Sequence, residues 1–177
     1  MPSSKTILVV GSGPGIGRAI ATLFASKRYT NVALIARRAD SLQAEQAAIE
    51  QATGSHITVK TYPVDITDST ALLKALDDAD AALGKPECVF FNAARVLPSA
   101  FFEHDVKEIE YDLKINVSAL YLIAQRYIPY LTTLAKDPSS KRSMCRGRCR
   151  LRRRRESGEY CGKTWEWFEG RGFEVAI

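Results

Sequence analysis

Histidine, cysteine and long apolar runs are all scarce in this 177-residue sequence, and each scarcity narrows the function. Two histidines, His56 and His104, leave little for a metal centre, and only one of the four cysteines, Cys88, precedes residue 145. The spacing Cys145-x3-Cys149-x11-Cys161 matches no known structural zinc site and has no histidine near it in sequence. Free thiols in a reducing compartment are expected, and no metal. No uncharged apolar run reaches the ~18 residues that a membrane span requires. The longest candidate, residues 115–134, is interrupted by Gln125, Arg126 and Pro129. Met-Pro-Ser-Ser-Lys leads straight into an apolar stretch without the core of a signal peptide. A soluble cytoplasmic protein with no membrane partner is therefore expected. Eleven glycines and seven prolines are too few for a low-complexity or collagen-like chain.

What is present is an ordinary globular composition, 46% hydrophobic and 25% charged, sized for one domain with a sizeable core. The net charge of +5 is unevenly placed: residues 1–135 sum to −1 and residues 136–177 to +6. Cys145, Cys149, Cys161, Trp165 and Trp167 also lie in the basic part, so two compositions meet near Asp137-Pro138.

Before that junction the pattern alternates. Apolar, β-branched runs at 5–10, 31–36, 57–64 and 87–91 read as strands, the first two fully buried. Helical spacing follows each of the first three, over 16–28, 39–53 and from Asp68 or Ser69 to Leu83. Gly54 and Gly84 are the expected stops. Residues 101–134 read as helical, with Leu113, Val117, Leu120 and Ile123 on one face. This alternation predicts βαβ units on a parallel sheet. No internal repeat is present.

Between the first strand and first helix lies Gly11-Ser-Gly-Pro-Gly-Ile-Gly17, the context that gives a glycine motif its meaning. Gly11 supplies a turn where a Cβ would clash, Gly15 lets backbone approach a pyrophosphate, and Gly17 lets the helix pack close to the sheet. The helix start then offers free N–H groups and the positive end of its dipole. Gly13 and Ile16 complete the set expected to contact a coenzyme.

The spacing G-x-x-x-G-x-G resembles that of the short-chain dehydrogenase/reductase family, and three further motifs follow in the family's order. Asp65-Ile66 is similar to its adenine-contacting acidic position. Asn92-Ala93-Ala94 is similar to its Asn-Ala-Gly turn, with Ala94 in place of Gly. Asn116, in Lys-Ile-Asn-Val, is similar to its catalytic asparagine. Val10 stands where the family usually has Thr. The resemblance implies a Rossmann-type, doubly wound α/β sheet, here incomplete on the C-terminal side. It also implies hydride transfer between a nicotinamide coenzyme and a small-molecule carbonyl or alcohol, and a homo-oligomer.

The end of the second strand selects between coenzymes. A carboxylate there pairs with the ribose hydroxyls of NAD and repels a 2′-phosphate. This strand ends Ala36-Arg37-Arg38, with no carboxylate before Asp40. Guanidinium groups favour the 2′-phosphate through charge-assisted bonds, so NADP(H) is expected over NAD, with Arg37 the main discriminator and Arg38 beside it.

The catalytic half departs from the pattern. The resemblance implies a serine that polarises the substrate oxygen, a tyrosine that exchanges the proton and a lysine that lowers the tyrosine pKa, written Tyr-x-x-x-Lys. No such spacing exists here; the nearest is Tyr160-Cys-Gly-Lys163. Residues at i and i+3 share a helix face, but Gly162 weakens a helix there by ~1 kcal/mol relative to Ala. Ser143 and Ser157 sit in basic sequence without strand character. Tyr160 and Lys163 thus read either as a displaced dyad or, more simply, as a surface pair.

Three regions are expected: a dinucleotide-binding domain over 1–136, a basic, disordered or aberrant segment over 137–164, and a remnant helix end and strand over 165–177. Arg142–Arg155 holds eight arginines, no acids and no interleaved aromatic residue. Non-specific phosphate attraction is its only nucleic-acid signal, which disfavours a nucleic-acid partner. The alternative to an enzyme is a catalytically inactive nucleotide-binding remnant with an arginine-rich interaction tail. In the family's sheet order, 3-2-1-4-5-6-7, loss of the fifth strand leaves Val89 and Phe91 at an open edge. A frame-shifted or mis-spliced coding sequence accounts for a break of this kind. Another reading frame of the coding DNA should then restore a strand, a serine and Tyr-x-x-x-Lys; if none does, the tail is genuine.

Overall fold

The structure, a computed structural model, describes residues 5–54, 56–95 and 105–136, together with the backbone strands 145–149 and 165–169. Two compact units emerge, Met1–Leu131 and Thr132–Ile177. The first begins with β1 (Thr6–Val10), α1 (Ile16–Lys27), β2 (Asn31–Ala36), α2 (Ala39–Thr53) and β3 (Thr58–Pro63). It continues with α3 (Ser69–Leu83), β4 (Cys88–Phe91), α4 (Val106–Leu113), a π turn (Lys114–Ser118) and α5 (Ala119–Lys136), whose last residues enter the second unit.

The four strands form one parallel sheet in the order β3-β2-β1-β4. The chain steps outward from β1 to β3, then returns to the far flank of β1 to lay down β4. That reversal opens a crevice beyond the C-terminal ends of the strands, where ligands bind in sheets of this kind. Alternation along β1 and β2 builds two cores. Ile7, Val9, Val32 and Leu34 meet Ala21 and Ala25 of α1 and Leu42 and Ile49 of α2. Leu8, Val10, Ala33 and Ile35 meet Leu72 and Leu76 of α3 and Ile123 and Tyr127 of α5. A parallel sheet covered on both faces accounts for the unbroken apolar character of β1.

Polar contacts fix the helices. Asp68 caps α3, its carboxylate accepting from the amides of Thr70 and Ala71 at 3.0 Å each. The Arg18 guanidinium of α1 donates twice, at 2.6 and 2.7 Å, to Glu45 of α2, a carboxylate almost wholly buried. Arg126 of α5 donates to Asp77 and Asp80 of α3, both at 2.7 Å, and the buried Tyr127 hydroxyl donates to Asp80 at 2.8 Å.

The helical stretch before α5 differs from the sequence expectation. Leu113 and Val117 are 53% and 54% exposed, so they do not share a buried face with Ile123. The buried positions are Ile115, Ala119, Ile123 and Tyr127, four residues apart. Such spacing drifts by about 40° per turn around a 3.6-residue helix; the π turn, bonded i to i+5, takes up an extra residue and offsets it.

In the second unit, β5 (Cys145–Cys149) pairs antiparallel with β6 (Trp165–Glu169), the register setting Arg148 opposite Glu166. The aromatic residues of Trp-Glu-Trp-Phe-Glu carry strand propensity. Residues 170–177, the rest of the expected remnant helix end and strand, lie outside the described residues. Among the described residues, no helix is long and apolar enough to cross a membrane.

Burial, followed by the hydrogen bond and charge of Asp80, holds the Tyr127 phenol in its neutral form well above the usual tyrosine range. Its contribution to stability is complete below the unfolded value of about 10 and is lost as pH rises through the folded value. Tyr127→Phe should cost about 1–2 kcal/mol at neutral pH and flatten the alkaline limb of the stability curve, both measured by denaturant melts across pH.

Candidate functional site

The crevice at the C-terminal ends of the strands encloses about 510 Å³. Its floor is made by close backbone contact between two loops. Gly11, at φ +87°, and Ser12 both donate their amides to the Ile35 carbonyl, at 2.8 and 3.2 Å. The amides of Asn92 and Ala93 donate to the Val10 carbonyl at 2.8 and 3.0 Å. The Asn92 side chain closes the pair by donating to the Gly11 carbonyl at 3.1 Å.

The glycines divide by what surrounds them. A Cβ on Gly11 would lie 2.6 Å from Ala93 Cα and 2.9 Å from the Asn92 carbonyl carbon. A Cβ on Gly17 would lie 2.8 Å from the Gly11 oxygen and 2.9 Å from Ser12 Cα, so the surface it packs on is the loop at the end of β1. Around Gly13 and Gly15 there is nothing within 4 Å of such an atom. The first two glycines close the fold, and the second two leave open space over the crevice. Ile16, 58% exposed, follows them at the start of α1. No side chain caps α1 and its first turn has no acidic residue, whereas α3 and α4 are capped by Asp68 and Asp105. Beside this helix start the buried Ser12 hydroxyl has no hydrogen-bond partner among the described residues. Uncapped amides, a buried hydroxyl awaiting an acceptor and room for close approach together suit an anionic group.

At the other end of the crevice, Arg37 and Arg38 follow β2 and are exposed. Asp65 accepts from the Thr67 amide at 2.9 Å and the Thr67 hydroxyl at 2.8 Å. Burial opposes its charge, but the two Thr67 bonds, the Arg37 guanidinium and the Tyr111 hydroxyl outweigh that. Its carboxyl is held below the usual carboxylate range. Ile66 lines the crevice while packing into the core. Ala93 and Ala94 form its far wall.

Asn116 lies on the π turn. Its side chain accepts from the Arg95 amide and donates to the Arg95 carbonyl, each at 3.0 Å, so it braces the loop that follows β4. The Arg95 guanidinium pairs with Glu108 and Asp112, the latter at 2.7 Å, and lies 5.0 Å from the centre of the Tyr111 ring. Ser12, Arg95 and Tyr111 were not singled out by sequence reasoning. Ser12 could have been found inside the glycine motif; the other two act through long-range contacts that no local pattern marks. Tyr160 and Lys163, the candidate proton-transfer pair, lie outside the described residues.

The two kinds of glycine should separate on substitution. Gly17→Ala should destabilise the protein by about 1–3 kcal/mol, because backbone must shift to admit the methyl group. Gly13→Ala should leave the melting temperature unchanged. Thermal melts of both variants check this.

Comparison with known proteins accords with this architecture. Residues 5–139 match the family model described as short chain dehydrogenase. The chain is 42% identical over 91 residues to a probable 2,4-dienoyl-CoA reductase of Caenorhabditis elegans, covering 51% of this chain and 28% of that protein. It is 30% identical over 129 residues to an uncharacterized oxidoreductase of Staphylococcus aureus, covering 72% of this chain and 52% of the relative. Among solved structures, a short-chain dehydrogenase/reductase from Serratia marcescens superposes with a TM-score of 0.65 at 26% identity, over 72% of this chain and 51% of that one. L-sorbose reductase from Gluconobacter frateurii, solved with NADPH and L-sorbose, shares the fold with a TM-score of 0.67 at 21% identity, over 74% and 49%. The chain thus spans about half the length of these proteins, or less. It belongs to the short-chain dehydrogenase/reductase family.

Proposed function

We propose that the crevice binds NADP(H) and that the chain carries the coenzyme half of an oxidoreductase acting on a small-molecule carbonyl or alcohol. The observation that carries this is the pairing of two features in one crevice. Gly13 and Gly15 leave open space at an uncapped helix start, and Arg37 and Arg38 stand where a carboxylate would select NAD. The amides at the start of α1 and the Ser12 hydroxyl would hold the pyrophosphate, and Asp65 and Ile66 would border the adenine. Arg37, with Arg38 beside it, would take the 2′-phosphate. Asn92, Ala93 and Ala94 would flank the nicotinamide-proximal end, with Asn116 bracing their loop through Arg95. When bound, the coenzyme supplies or accepts the hydride.

In the pattern that the family resemblance implies, proton transfer to the substrate oxygen runs through a phenol with a cation beside it, since a free tyrosine titrates near ~10. The described crevice lining contains no lysine. Tyr160 and Lys163 are three positions apart rather than four, and no intact Tyr-x-x-x-Lys occurs in the sequence. That departure favours a second reading, in which the chain binds the coenzyme without turning over.

Fluorescence titration of the full chain with NADPH and NADH tests the binding. NADPH should bind more tightly. Arg37→Asp should weaken it by about tenfold or more without weakening NADH, whose ribose hydroxyls the new carboxylate can pair with. Gly13→Ala should weaken both coenzymes by about tenfold, its methyl group standing where the pyrophosphate approaches. A folded chain that binds neither coenzyme would refute the proposal. Turnover of NADPH with a panel of aldehydes and ketones separates an enzyme from a silent binder.

A further inference from the structure

Arg37 and Asp65 carry opposite charges at the ends of neighbouring parallel strands, one and two residues past the register pair Ala36 and Pro63. Such groups tend to close into an ion pair, yet no ion pair joins them. Tyr111 of α4 lies beside both. Its hydroxyl accepts from Arg37 Nη1 at 3.4 Å and favours the charged form of the Asp65 carboxyl. A phenol can serve both because it has one donor and two acceptor sites. The ring is itself held: Arg95 stacks over it, pinned by Glu108 and Asp112 on the same helix and by Asn116 through its backbone.

We propose that Tyr111 is a positioning residue that sets coenzyme choice by keeping Arg37 apart from Asp65 and available to the 2′-phosphate. The inference rests on the NADP(H) reading given above. At 3.4 Å the hydroxyl holds the guanidinium only weakly, so a phosphate can draw it away, and most of its five donors are uncommitted. Without the hydroxyl, the carboxylate competes with the phosphate for the same donors. The effect therefore falls on NADPH and spares NADH, which has no 2′-phosphate.

The test is the ratio of NADPH to NADH dissociation constants, titrated by fluorescence on the full chain and its variants. Tyr111→Phe should weaken NADPH by about fivefold and leave NADH unchanged. Asp65→Asn in the Tyr111→Phe background should return the ratio towards that of the wild type, because the competing charge is gone. Equal weakening of both coenzymes by Tyr111→Phe would show a merely structural role and overturn the inference, as would an unchanged ratio. Arg37→Ala separates the two levels of the argument. If it leaves NADPH binding intact, the NADP(H) reading itself fails; if it weakens NADPH while Tyr111→Phe does not, only the role of Tyr111 fails. Should Tyr111→Phe lose its cooperative melt, Asp65→Asn alone decides. With the hydroxyl still in place the ratio should stay that of the wild type, and a raised preference for NADPH would show that the carboxylate already competes and overturn the inference.

Discussion

The crevice depends on backbone meeting backbone where β1 ends. Gly11 and Gly17 each lie so close to neighbouring main chain that a single added carbon would fall within 3 Å of it. This contact ties the glycine loop to the Asn92–Ala93 turn, and the hydrogen bonds from both loops to Val10 and Ile35 lock the arrangement. Phosphate-sized space and neighbouring N–H groups then follow from the fold itself, without help from a charged side chain at α1. The guanidinium that is close in sequence, Arg18, is instead taken up by Glu45 of α2.

A second line of contacts runs from the loop after β4 to the ends of β2 and β3. Asn116 holds the Arg95 backbone, the Arg95 side chain holds α4 through Glu108 and Asp112 and stacks on Tyr111, and Tyr111 reaches Arg37 and Asp65. The π turn puts Asn116 within reach of this loop while Ile115 and Ala119 remain buried. One line of contacts is thus backbone fitted to backbone, and the other is a relay of charged and aromatic side chains.

These two lines of contacts differ in how far the sequence reveals them. Strands such as Ile7–Val10 and Val32–Ile35 declare themselves through unbroken apolar runs, and the Asp68 cap and the ends at Gly54 and Gly84 through local chemistry. The glycine motif is equally local. The relay is not: Arg95 finds its partners 13 and 17 residues away, and Arg37 meets Tyr111 across 74 residues. Periodicity also misassigned Leu113 and Val117, because a 3.6-residue template has no place for a π turn. In the second unit the partner of Cys145–Cys149 is Trp165–Glu169, a pairing that no local pattern marks.

Among the described strands, β4 is bonded on one side only, to β1, and its four residues are half-buried. Its outer row of amide and carbonyl groups is therefore a template with a direction. Any segment that extends the sheet there in the same sense as its neighbours finishes beside Asn92 and Ala93. Lateral growth of the sheet would deliver new side chains to the mouth of the crevice, so the geometry of that margin dictates where added chemistry lands.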